Sequence, residues 1–408
     1  MIRLSSLYGP ILFGTTLLML TAATVGCDRT PSDDPPQAPA DEESSSTPTA
    51  PTAEDRLAAF GASTDAVAEA VAEGDSQTHQ WWEDLLATAM DPTEPLPKVV
   101  RQALEDIEFD PHPESLTRDS HYWVSNEHHH YLFREAVDGH GGIYMGVGTD
   151  QNYLIGAWAQ PAILILMDFD EQIRNVHHLY ELMFSRADTP EEFIDLWSAQ
   201  NADEMHTALK EKYGEGERFD ALKRTFDIAR AVIHARLRMT ARAYERREIP
   251  SFVTDQDKYD FIRSLWENDR VFPVRGDLTA DTTMVDIATT LDELGLSMGI
   301  IYTSNAEQYF DFTPAYRRNI AVQPFDDESL MLRTRPASAF GFPEGGEYHY
   351  NVQPGLNFAD WMQNNTILNS WRLLSRHRED ADTQGLSYIR EAPEPSDNPP
   401  QLAELPDE

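Results

Sequence analysis

The residues best placed to do chemistry begin in the stretch Ile143-Tyr-Met-Gly-Val-Gly-Thr-Asp-Gln-Asn-Tyr-Leu-Ile-Gly-Ala-Trp158. It reads as a strand, a glycine turn and a helix. Gly146 allows a tight turn, and Gly148 lets a ligand approach the backbone. The helix N-terminus that follows favours an anion. The third glycine of the dinucleotide fingerprint is missing, because Gln151 stands there. Asp150 also places a negative charge where a pyrophosphate would sit. Both departures argue against a phosphate-bearing cofactor. S-adenosylmethionine carries no phosphate and tolerates looser glycine loops. In that reading the cofactor residues are Gly146, Gly148, Asp150, Asp168 and Asp277. Asp168 (or Asp170) would hold the ribose hydroxyls and Asp277 would lie near the adenine. Ser304 and Asn305 would face the reacting group. The plain structural alternative is a tight strand-to-helix turn, with Asp168 capping the next helix.

A second candidate is Ser125-Asn-Glu-His-His-His-Tyr131. Three adjacent histidines cannot all face one ion from a regular element. On a strand, His128 and His130 share a face. Those two imidazoles with Glu127 are a candidate site for Zn²⁺ or Fe²⁺. No H-E-x-x-H motif supports it, and no G-x-S-x-G elbow supports a hydrolase. His177 falls on the apolar face of its helix and reads as a core histidine; His178 points the other way.

The elements that would position these groups follow from hydrophobic period. Ala162-Ile-Leu-Ile-Leu-Met167 is a continuous apolar run ending in Asp168, as expected of a parallel strand buried on both faces. Ile173, Val176, Tyr180, Met183 and Phe184 then recur at helical spacing. Thr189-Pro-Glu-Glu combines a cap, an N1 proline and early acids. It opens a helical insertion over about 190–248. Further strands are expected at 271–274, 296–302, 330–333 and 348–352. Helices are expected over 150–160, 255–268, 283–294 and 357–376. Residues 55–110 read as a helical extension of two or three short helices. Strand and helix alternating at this rhythm predict an α/β domain over 115–390: a Rossmann-like, mostly parallel sheet with helices on both faces. Its ligand crevice would lie beyond the C-terminal strand ends, where the strand order reverses.

Three motifs resemble those of a family of uncharacterised bacterial proteins: Gly141-Gly-Ile-Tyr-Met-Gly-Val-Gly-Thr-Asp-Gln-Asn-Tyr153, Leu166-Met-Asp-Phe-Asp170 and Thr303-Ser-Asn-Ala-Glu-Gln-Tyr309. Val124-Ser-Asn-Glu127 also looks like that family's opening segment. The resemblance implies a methyltransferase-like core and assigns no activity. The family's loop proline is Thr149 here, and the arginine after its second strand is Asp170.

Composition sets the address. There are 32 basic and 70 acidic side chains, for a net charge of −38. Such a surface repels nucleic acid and anionic lipid headgroups and favours solubility. Arg3, the apolar stretch Ile11–Leu20 and Thr24-Val-Gly-Cys27 resemble a bacterial lipoprotein signal. The expected anchor is lipidated Cys27, the chain's single cysteine. Residues 28–54 and 391–408 are rich in Pro, Ser, Thr and acid, and are expected to be disordered. One basic segment stands out: Arg230, Arg236, Arg238, Arg242, Arg246 and Arg247 on the inserted helix. Pairing with acids in the same bundle is the expected explanation, with an anionic lipid or partner as the alternative.

The functional expectation is a lipid-anchored envelope protein whose α/β domain binds a small molecule or acts as a non-catalytic module. The alternatives are an S-adenosylmethionine-dependent methyltransferase and a metal enzyme at His128 and His130.

Overall fold

The computed structural model describes residues 76–395, 399–400 and 402–405. The expected signal with Cys27, the 28–54 linker and the 55–75 part of the helical extension lie outside the described residues. Helices α1 (Ser76–Ala89) and α2 (Lys98–Glu105) lead to the short α3 (Arg134–Val137). The first half of the sheet then alternates: β1 (Ile143–Val147), α4 (Asp150–Ala159), β2 (Ile163–Asp168) and α5 (Glu171–Phe184). The insertion follows as α6 (Pro190–Leu196), α7 (Ala202–Tyr213) and the long α8 (Glu217–Glu245). Alternation resumes with α9 (Gln256–Glu267), β3 (Val271–Arg275), α10 (Thr283–Glu293), β4 (Met298–Tyr302), α11 (Pro314–Ala321) and β5 (Leu330–Arg335). The chain closes with β6 (His349–Pro354), α12 (Gly355–Met362), α13 (Ser370–His377), β7 (Glu379–Asp380) and β8 (Leu386–Tyr388).

The fold is the expected Rossmann-like α/β class. Eight strands form one sheet in the order β3-β2-β1-β4-β5-β6-β8-β7. The first five are parallel, and β6 runs antiparallel to β5. The chain moves outward from β1 to β3, then returns to β4 on the other side. The switch point is therefore the β1/β4 junction, where ligands of such sheets bind.

Strand alternation divides the core. Tyr144, Leu164, Leu166, Ile300 and Tyr302 face one side, with α4, α5 and the insertion. Ile143, Met145, Ile163, Ile165 and Ile301 face the other, with α2, α10 and α12. Every residue of α4 is buried, because the helix lies between the sheet and the insertion. The predicted cap at Thr189 is present, its hydroxyl accepting from the Glu192 N–H at 3.2 Å.

Two expectations change. The single late helix is two, α12 and α13. Between them Asn364 folds its side chain onto the Thr366 N–H, and Asn369 caps α13. Asparagines compete with the helix by such local bonds. The C-terminal tail is partly bound: the Glu391 and Glu394 carbonyls accept from Trp361 and Asn364, and the Glu404 carbonyl from Arg318. Among the described residues, no helix is long and apolar enough to cross a membrane.

Candidate functional site

The glycine turn is filled by its own helix. A Cβ on Gly146 would lie 2.1 Å from Asn152 Oδ1, and one on Gly148 would lie 2.0 Å from Gln151 Nε2. Gly148 also has φ +94°, which favours glycine. Gln151 turns back to donate to the Val147 carbonyl at 3.0 Å and accepts from the Thr149 N–H at 3.1 Å. Asn152 donates to the Gly148 carbonyl at 3.0 Å, and Tyr144 donates to Asn152 Oδ1 at 2.9 Å. His177 ties the turn to α5, with Nε2 2.9 Å from the Gly148 carbonyl and Nδ1 2.9 Å from the Tyr153 hydroxyl. The carbonyl can only accept, so Nε2 carries the proton. Burial pushes this imidazole down to about 3, so it is neutral.

The first turn of α4 is also occupied. Asp150 is buried there, its Oδ1 accepting from the Ser125 N–H at 2.7 Å and its Oδ2 from Arg236 Nε at 2.8 Å. Arg236 reaches further, to the Glu127 carbonyl at 2.7 Å and His128 Nδ1 at 2.6 Å.

Glu127 is the hub of this segment. Its side chain is fully buried at the ends of β4 and β5. It accepts from Ser304 Oγ at 2.9 Å, Ser125 Oγ at 3.3 Å and the hydroxyls of Tyr302 and Thr334. His130 Nε2 lies 2.8 Å away. Burial alone would raise this carboxyl. The hydrogen bond and charge of His130, then the Thr334 and Tyr302 hydroxyls, outweigh burial and hold it below the usual range. The Asn126 amide and the His129 N–H bond the hydroxyls of Tyr348 and Tyr350, at 2.6 and 2.8 Å.

Beside this plug, at the β1/β4 switch point, a cleft of about 100 Å³ remains open. Gly148, Gln151 and Asp168 line one side, and Ser304, Asn305 and Ala306 the other. Tyr122, Phe169 and Tyr309 supply aromatic walls, and none of the described residues that line it is Lys, Arg or His. Asp168 Oδ1 accepts from the Asp170 N–H at 3.0 Å. Burial, reinforced by the charges of Asp170 and Asp277, pushes the Asp168 carboxyl up to about 7. Ser304 holds the left-handed conformation (φ 53°), which turns its hydroxyl inward to Glu127. Asn305 Nδ2 donates to the Tyr348 hydroxyl at 3.2 Å.

A model of a domain of unknown function (DUF7790) matches residues 122–390, which contain the Glu127 hub, the turn and all of the cleft lining except Thr117. The chain belongs to the DUF7790 family. No curated protein matches it.

Of the residues singled out in the sequence, the DUF7790 domain brings Gly148, Asp168, Ser304 and Asn305 to one cleft. Gly146 makes room for Asn152 instead of a ligand, and Asp150 is spent on Ser125 and Arg236. Asp277 is not among the residues lining the cleft. Its carboxylate accepts from the Thr279 N–H and its own N–H donates to Asp110, at 2.8 and 2.9 Å. Asp170 caps α5 and lies 2.6 Å from His121 Nδ1. The metal reading finds no ligand set. His128 faces Arg236, His130 faces Glu127, and no group of three or more His, Cys, Asp or Glu among the described residues is placed to hold an ion. Sequence reasoning missed the Glu127 hub and the Asp150–Arg236 pair. One signal for the pair was present: Arg236 continues the 4-3-4 spacing of Ala229, Ile233 and Thr240, so it lies on the buried stripe of α8.

Proposed function

We propose that the chain is a lipid-anchored envelope protein whose DUF7790 domain binds a small molecule at the β1/β4 switch point. The supporting observation is the cleft itself. Aromatic walls and side-chain amides converge there on one carboxyl group, beside a turn whose polar groups are already satisfied. The lining offers no cation to a phosphate, and Asp150 and Arg236 neutralise each other at the helix N-terminus. A neutral or cationic ligand is the class that fits. The ligand would present a group of about ring size to Asp168. An apolar cavity near 150 Å³ holds benzene, and whole-ligand pockets run from roughly 300 Å³ upward. Anything larger leaves part of itself in solvent or displaces the covering segment around Thr117 and Tyr122.

A second reading, an S-adenosylmethionine-dependent methyltransferase, is favoured by the place of Asp168 alone, at the end of β2 beside the glycine turn. Calorimetry with S-adenosylmethionine and S-adenosylhomocysteine separates the two: heat abolished by Asp168→Asn supports the methyltransferase, and no heat at millimolar ligand removes it. For the cleft, Ala306→Phe should abolish ligand binding while leaving the unfolding midpoint nearly unchanged. The anchor rests on Cys27 and its preceding leader. Mass spectrometry of the mature protein should find acyl groups on Cys27 that Cys27→Ala lacks, and an unacylated parent chain would reject the anchor.

A further inference from the structure

The long helix α8 has a second face that the α/β core does not use. Ile228, Val232 and Met239 are among the most exposed large apolar side chains of the described residues, at 61%, 40% and 47%. With Ala235 they recur at spacings of four, three and four, so they form one stripe along the helix. The stripe from Ile228 to Met239 is about 16 Å long at the α-helical rise.

Arginines bound it. Arg224 and Arg242 lie on the same face at its two ends, Arg246 one turn beyond, and Arg238 along one side. All four are exposed. None forms an ion pair among the described residues, although acids outnumber bases 70 to 32 in the chain. Among the described residues the expected pairing within the bundle is not found: Arg236 pairs instead with Asp150, in the first turn of α4. Of the acids beside the stripe, Asp227 already meets Lys223 and His206 at 2.6 and 2.7 Å, and Glu245 stands at the edge.

Leaving four arginines unpaired in so acidic a protein marks a surface complementary to negative charge. An apolar stripe between arginines is the composition of a helix that lies in a bilayer interface. We propose that this face of α8 docks on an anionic lipid surface, with Ile228, Val232 and Met239 entering the headgroup region and the arginines meeting lipid phosphates. The rest of the acidic surface is repelled by such a bilayer, so the domain would sit with this face down. A second copy of the chain fits less well, since pairing two such stripes antiparallel brings Arg224 of each copy close to Arg242 of the other.

The test uses the full chain with Cys27→Ala, so that any acyl anchor is absent, and compares pelleting with phosphatidylcholine vesicles and phosphatidylglycerol-rich vesicles. The proposal predicts an excess on the phosphatidylglycerol vesicles. Each Arg→Gln at 238 or 242 should reduce it on the order of fivefold, and the I228S/M239S pair should reduce it further. Equal pelleting on the two lipids, or an excess indifferent to these substitutions, overturns it. So does a dimer in solution that I228S/M239S dissolves without any lipid preference. The parent chain distinguishes this from failure of the anchor: if it pellets on both lipids while Cys27→Ala pellets on neither, the anchor stands and the docking face falls.

Discussion

Replacing Glu127 by Gln probes the hub on which the switch-point architecture rests. Gln keeps the volume but turns one carboxylate oxygen into a donor. Oε1 accepts from Ser304 and Thr334, and Oε2 from Tyr302, Ser125 and His130. Whichever oxygen is replaced, at least two hydrogen bonds accepted by a charged oxygen are lost. Hydrogen bonds to a charged group contribute about 1.5–3 kcal/mol each. Loss of two, partly offset by the lower cost of burying a neutral group, should destabilise the domain by about 3 kcal/mol. At roughly 2–4 °C per kcal/mol for a domain of this size, the melting midpoint should fall on the order of 10 °C. The pH dependence gives an independent signature. The Glu127 carboxyl is held below its ordinary 4.5 in the folded state. Its contribution is complete above pH 4.5 and is lost as the pH falls through the folded-state value. Denaturant titrations from neutral to acidic pH should show a shallower acid loss for E127Q than for the parent chain. A destabilisation under about 1 kcal/mol with an unchanged acid limb would refute the hub.

Other perturbations follow from the same geometry. Removing one partner of the Asp150–Arg236 pair, as in R236M, should cost about 3–5 kcal/mol, and D150N/R236M together should recover part of it in a double-mutant cycle. G146A should destabilise by at least about 1–3 kcal/mol through overpacking against Asn152, and N152A in the same chain should restore part of the loss; no rescue in urea unfolding would mean that the glycine serves something else. Asp168 has the opposite sign to Glu127. Its folded-state value of about 7 lies above its ordinary 3.8, so the parent chain should lose relative stability as pH rises from 4 to 7, and D168N should not.

The sheet was legible because its strands announce themselves. Ile163–Met167 is a continuous apolar run ending in Asp168, which a parallel strand covered on both faces needs. Thr189-Pro-Glu-Glu marked the start of the insertion because caps act locally. The switch-point cleft was legible through the same logic, since Gly148, Asp168 and Ser304 each sit at or just beyond a strand's C-terminal end. What the glycines do was not. A G-x-G turn reads the same whether a ligand or Asn152 and Gln151 approach it, and only packing decides. Glu127 was equally opaque, because its donors Ser304, Tyr302 and Thr334 lie more than 170 residues away along the chain. The tail showed only its acidic composition, whereas backbone carbonyls make several of its contacts, beside the Glu391 carboxylate on His377.

The most direct measurement on the central claim is native mass spectrometry of the full chain purified under non-denaturing conditions, beside its A306F variant. Binding at the β1/β4 switch point predicts a non-covalent adduct of a neutral or cationic small molecule that A306F loses. An adduct that A306F retains, or a phosphate-bearing anion in its place, would contradict the account.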